Sequence, residues 1–256
     1  MDLGLTGRRA LVTASTEGLG LATARGLAAE GARVAVSGRR AERVQVVAAS
    51  LPDGIGVAGD LRADDGPGSV VAAAATALGG LDILVVNTGG AAPGGIQDKD
   101  EAAWDAGYAS VLRPALALAR AAVPHLRRSD GGRLIFVTAR SILETTPDLA
   151  LSGVFRSGVA AAARVLAEEL APQVLVNVVV PGQFDTGGLQ RFEQFAAERD
   201  GVGVAEVRAR HEAAAPLRRV GRAEEFGDVV TFLCSRRASF VTGSVVRIDG
   251  GAVRGY

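Results

Sequence analysis

A chain of 256 residues, nearly half of them apolar, with 28 basic and 28 acidic side chains, is long enough for a large core and carries no bulk charge to recruit nucleic acid or an anionic membrane. A single cysteine excludes an internal disulfide, and Cys234 in the run FLCSRR reads as a small core side chain rather than a nucleophile. The opening MDLGLTGRR lacks the basic and apolar segments of a secretory signal, and no apolar run approaches the length of a membrane span, so the expected setting is the cytoplasm.

Runs rich in β-branched residues alternate with helix-length amphipathic segments along the whole chain. The first strand is predicted over 8–14, followed by a helix at 18–30. Strand 32–37 precedes helix 40–50, strand 54–59 precedes helix 64–78, and strand 82–87 precedes a long helix at 100–128. Strand 133–138 leads to helix 149–171, strand 174–180 to a polar helical stretch at 187–215, and helix 222–235 to a last strand at 244–249. No linker or repeat interrupts the pattern, so residues 1–256 read as one α/β domain. Its parallel sheet would be wound on both faces by helices through right-handed crossovers. Ligands of such sheets bind beyond the carboxyl ends of the strands, which makes the residues after each strand the informative ones.

After the first strand stands Thr13-Ala14-Ser15-Thr16-Glu17-Gly18-Leu19-Gly20. Gly18 and Gly20 would let the backbone and a helix N-terminus approach a pyrophosphate; the alternative is a tight turn that binds nothing, and Ala14 stands where a glycine would be expected. The second strand ends in SGRR. An acid there would bond the ribose of NAD, whereas Arg39 and Arg40 suit the 2′-phosphate of NADP unless they are the solvated start of a helix; Glu17 would oppose that phosphate. Asp60-Leu61, after the third strand, would frame an adenine, or Asp60 would serve a turn or helix cap. Asn87-Thr88-Gly89-Gly90 after the fourth allows close backbone approach.

Together with VNVVVPGQFDT (176–186), PLRRVGRAEEFGDVVTFLCS (216–235) and FVTGSVVRIDGG (240–251), these motifs make the chain resemble the short-chain dehydrogenases/reductases over essentially its whole length. The resemblance implies a Rossmann fold with seven parallel strands in the order 3-2-1-4-5-6-7, NAD or NADP as cofactor, a small-molecule substrate and a homotetramer or homodimer. It places Thr13, Ala14, Ser15, Thr16, Gly18, Leu19 and Gly20 around the pyrophosphate, Arg39 near the adenosine ribose, and Asp60 and Leu61 beside adenine. Asn87 and Gly89 would lie under the ribose, with Pro181, Gly182, Phe184 and Thr186 at the nicotinamide. With Arg39 present and no acid at that point, NADP(H) is favoured over NAD(H).

The family's proton chemistry uses a tyrosine, a lysine four residues later, a serine after the fifth strand and an asparagine in the preceding long helix. Here the tyrosines are Tyr108 and Tyr256, the sole lysine is Lys99, and Leu112 stands four residues after Tyr108. Alignment on LAEEL puts Ser152 at the tyrosine position and Arg156 at the lysine position. Ala139 falls at the serine position, with Ser141 the nearest hydroxyl, and Ser110 falls at the asparagine position. A serine hydroxyl is a far weaker acid than a phenol, while arginine can donate hydrogen bonds to a ribose or developing alkoxide without shuttling a proton. Other groups offer less: Glu144 reads as a solvated loop carboxylate or a general acid, Tyr108 points away from the site, and His125 and His211 read as surface or packing residues. No metal-ligand spacing is present. Stretch 187–215 corresponds to the family's variable substrate lid. Three functions follow: an NADP(H)-dependent oxidoreductase with an atypical or substrate-assisted proton donor, a non-catalytic dinucleotide-binding sensor or subunit, or a non-redox enzyme such as a dehydratase or cyclase.

Overall fold

In a computed structural model, which describes residues 1–145 and 148–254, all seven expected strands form one parallel sheet. They are β1 (Arg9–Val12), β2 (Arg33–Gly38), β3 (Ile55–Ala58), β4 (Ile83–Val86), β5 (Gly132–Val137), β6 (Val174–Pro181) and β7 (Val245–Ile248), in the order β3-β2-β1-β4-β5-β6-β7. Ala10 pairs with both Val34 and Ile83, so the chain changes direction across the sheet between β1 and β4. At such a switch point the loops after adjacent strands diverge and leave a crevice.

Alternating side chains of these strands divide between two cores. Leu11, Leu84, Val86, Leu134, Phe136, Val176 and Val178 point to one face. Ala10, Val12, Ile83, Val85, Ile135, Val137 and Val179 point to the other. The first face is covered by α3 (Gly66–Leu78), α5 (Arg113–Leu126) and α6 (Ala150–Leu170), the second by α1 (Gly18–Ala29), α2 (Ala41–Ala49) and α9 (Ala223–Cys234). This explains why the strands read as continuous apolar runs: both faces are withdrawn from water. Helices α1 and α9 meet at closest range where side chains vanish, since a Cβ on Gly227 would lie 2.7 Å from the Ala22 carbonyl oxygen.

One buried ion pair fixes the entry to this sheet. Asp82, ahead of β4, is 5% exposed and accepts hydrogen bonds from the Arg9 backbone N–H (2.9 Å), Nε (2.9 Å) and Nη2 (2.7 Å). Burial pushes its pKa up, but the Arg9 hydrogen bonds outweigh that and hold the carboxyl well below the usual range.

Two sequence expectations change. The helix expected over 100–128 is three pieces: α4 (Glu101–Gly107), a π-helical turn at Tyr108–Leu112, and α5. Pro114 has no N–H to give the Ser110 carbonyl an α-helical bond, and the helix passes this point through a wider turn. The statement that no apolar run reaches membrane-span length is also corrected: α6, at 21 residues, is long and apolar enough by length and composition. It packs against the sheet through Val159, Ala163, Ala167 and Leu170, as a core helix does. The stretch 187–215 forms α7 (Gly187–Asp200) and α8 (Val204–Ala214). Tyr256 lies outside the described residues.

Candidate functional site

A cleft of about 510 Å³ opens beyond the ends of β1 to β4 and is closed on one side by the start of α7. Of the expected cofactor residues, Ala14, Thr16, Gly18, Leu19, Arg39, Asp60, Leu61, Asn87, Gly89 and Thr186 line it, together with Ser110. Thr13, Ser15 and Gly20 shape its floor from behind. The Thr13 hydroxyl donates to the Asn87 carbonyl at 2.6 Å, and that of Ser15 donates to Val12 O while accepting from Ser37 N–H. A Cβ on Gly20 would stand 2.7 Å from Ala14 O and 2.8 Å from Asn87 Nδ2, so only glycine lets α1 start this close to the loop. Asn87 Nδ2 donates to Ala14 O at 3.1 Å and ties the loop to the end of β4.

Ala14 has φ 46°, the left-handed conformation that glycine adopts without steric cost. This strain is local, and Ala14→Gly is expected to raise stability by about 0.5 to 1 kcal/mol in urea denaturation, the relief of a Cβ clash exceeding glycine's extra chain entropy.

The adenosine end is rich in arginine. Asp60 accepts from Arg62 Nε (3.1 Å), Nη2 (2.8 Å) and backbone N–H (3.0 Å). The Arg62 hydrogen bonds, with a smaller contribution from the charge of Arg39, lower its pKa to about 2. Arg62 and Arg191 line the cleft and were not singled out from sequence; an arginine two residues after Asp60 was a readable signal, whereas Arg191 is brought in by α7. Arg39 makes no ion pair among the described residues, and Glu17 is held by Arg191 at 3.2 Å.

Of the four side chains expected at the catalytic end, two meet. Ser152 and Arg156, one turn apart on α6, meet at 3.3 Å, Arg156 Nε donating to Ser152 Oγ. Nη1 donates to Val137 O at the end of β5 (3.0 Å), and Nη2 to Gly89 O in the loop after β4 (3.3 Å). The guanidinium thus bridges two strand ends and a helix, and it pairs with no carboxylate among the described residues. Burial lowers its pKa to about 10, which leaves it cationic at neutral pH. The Ser110 hydroxyl lies 3.3 Å from both Gly90 O and Gly107 O. Ser141 Oγ is buried with no hydrogen-bond partner among the described residues, its residue packed against Gly153 in the first turn of α6.

Phe184, Pro181 and Gly182 fall outside the cleft lining. Phe184 is buried edge-on against Phe226 at 5.6 Å, and Gly182 lies against Asp249 so closely that a Cβ would come within 2.7 Å of its Cα. Glu144 pairs with Arg140 at 3.3 Å, and Tyr108 packs at 6.3 Å from Phe155 with its ring half-exposed. Burial pushes the Cys234 thiol up to about 12, in keeping with a core side chain. His211 takes the packing role expected of it: its Nδ1 lies 3.0 Å from Oε1 of the buried Glu193, which also accepts from Arg208 Nε at 2.8 Å. That trio packs α7 on α8, and His211 lines a separate cavity of about 130 Å³. Among the described residues no three histidine, cysteine or carboxylate side chains converge on a metal position.

Comparison with known proteins agrees with this fold. The family profile described as Enoyl-(Acyl carrier protein) reductase matches residues 13–253. Human dehydrogenase/reductase SDR family member 4 is 35% identical over 96% of this chain and 88% of its own length. Nodulation protein G of a Rhizobium species is 30% identical over 96% of this chain and 97% of its own. L-Sorbose reductase from Gluconobacter frateurii, solved with NADPH and L-sorbose, superposes with a TM-score of 0.93 at 28% identity, covering both chains fully.

Proposed function

This chain belongs to the short-chain dehydrogenase/reductase family, and we propose that it binds NADP(H) in preference to NAD(H) and interconverts a carbonyl and an alcohol on a small molecule without a tyrosine proton donor. The observation that carries the reading is Arg156, a cation with no carboxylate partner among the described residues, fixed between the ends of β4 and β5 beside a cleft with its glycine loop in place. The fit to the coenzyme rests on that loop. Gly18 at φ 57° and the Cβ-free Gly20 bring the α1 N-terminus to the cleft, where backbone N–H groups and the helix dipole favour a diphosphate. Arg39, with no ion-pair partner among the described residues, supplies the cation that a 2′-phosphate needs.

When bound, the nicotinamide supplies or accepts the hydride. Arg156 spends three N–H groups on Ser152, Val137 and Gly89, and its remaining donors would hold a ribose hydroxyl or the oxygen on which negative charge develops. Ser141, whose buried hydroxyl has no partner among the described residues, would add a second donor. Ser152, already accepting from Arg156, positions that guanidinium. The proton comes from water or from the substrate itself, because Arg156 stays charged through the neutral range. The chain would act as a homo-oligomer, a reading supported by fully exposed Phe240 and the exposed Val154 and Val165 on α6.

Titration of NADPH and NADH, followed by nicotinamide fluorescence and then by a panel of ketones and alcohols, tests this. Binding of neither coenzyme would end the reading, and binding without any turnover would favour a sensor or subunit. Arg39→Gln is expected to weaken NADPH about tenfold and leave NADH nearly unchanged, the cost of one charge-assisted contact to the 2′-phosphate.

A further inference from the structure

The starts of α1 and α7 abut across the cleft: a Cβ on Gly18 would lie 3.6 Å from Cβ and Cγ2 of Thr186, the residue that caps α7. Neither helix has an acidic side chain in its first turn, and two electropositive helix ends converge there. Glu17, at the N-cap of α1, has a side chain suited to accept from the free N–H groups beside it, yet it makes no such bond. Its carboxylate instead reaches across to Arg191 on α7, 174 positions later, at 3.2 Å. Both residues line the cleft. Both are more than half exposed, so the pair is weak and easily exchanged.

We propose that Glu17 is a built-in stand-in for the coenzyme diphosphate: it holds Arg191 until coenzyme binds, and the diphosphate then takes Arg191 over. This rests on the nucleotide-binding reading above. A diphosphate at the α1 N-terminus brings more negative charge than one carboxylate and accepts from a guanidinium in a forked geometry. The same charge repels Glu17, so occupancy of the cleft and the Glu17–Arg191 contact exclude one another. Arg191 is then a coenzyme-binding residue carried on the lid. Its transfer couples the position of α7, and so of the lid's substrate-facing elements, to whether coenzyme is present.

Equilibrium binding of NADPH to the full chain decides the matter. Glu17→Gln is expected to bind NADPH about two- to fivefold more tightly than wild type, and Arg191→Met about tenfold more weakly. Adenosine, which has neither the diphosphate nor the 2′-phosphate, should bind all three proteins alike. Amide exchange gives a second readout: in the empty Glu17→Gln protein α7 should exchange faster than in wild type, and NADPH should restore its protection. If both variants weaken NADPH, the pair is only a structural strap and the inference fails; it fails equally if Glu17→Gln binds NADPH no more tightly than wild type. If wild type binds neither NADPH nor NADH, the nucleotide reading falls and takes this inference with it.

Discussion

Arg156→Met should lower kcat/KM for the preferred carbonyl by about 10² to 10³, the cost of removing one preorganised donor from a developing oxyanion. Methionine fills much of the same half-buried volume, so thermal unfolding should show the fold retained. Arg156→Lys should recover part of the loss, since an ammonium keeps the charge but cannot hold Val137 O, Gly89 O and Ser152 Oγ at once. The pH profile separates this role from a structural one. With the Arg156 pKa near 10, the wild-type rate should fall as pH rises through about 10, where the cation is lost, and that limb should be absent in Arg156→Met. A rate that follows the variant's stability and shows no change in its alkaline limb would contradict the assignment.

The largest stability effect should come from Arg9→Met. Asp82 is left buried with its guanidinium partner gone, which is expected to cost roughly 3 kcal/mol in urea denaturation, toward the lower end for a buried pair because Arg9 is partly solvated. The pH dependence follows from the depressed carboxyl. A group whose folded pKa lies below its unfolded value contributes stability that is full above the unfolded pKa, about 4 for aspartate, and is lost as pH falls toward the folded value. Wild type should therefore lose stability below about pH 4, while Arg9→Met, having lost the main cause of the depression, should show a shallower acid limb. Equal slopes in the two proteins would show that Asp82 draws its low pKa from elsewhere.

The strands were legible because burial on both faces leaves unbroken β-branched runs, and each of the seven lies within about two residues of its expected bounds. The first strand stops at Val12 rather than residue 14 because Ala14 turns to positive φ, which composition does not reveal. The π turn around Ser110 escaped notice for a related reason: one extra residue in a helix shifts the apolar stripe too little to register, and only Pro114 hinted at it. At the site, residues following the strand ends were recoverable in order along the chain, whereas contacts made between distant elements were not. Glu17 with Arg191 and Glu193 with His211 depend on how α7 is laid over the sheet and folded against α8. The Ser152–Arg156 contact was foreseeable from helical spacing, since residues four apart share a face. That Arg156 also reaches Gly89 and Val137, and meets no carboxylate among the described residues, required the fold.

On the proposed function, hydride transfer persists with a fixed arginine where a phenol would donate a proton. Its most direct test is to incubate the protein with NADPH deuterated at nicotinamide C4 and a panel of ketones, and to read deuterium in the alcohol products by mass spectrometry. The expected result is deuterium at the carbinol carbon of at least one product, formed about 10² or more times slower by Arg156→Met. NADPH bound by the wild type with no deuterium in any product would contradict it.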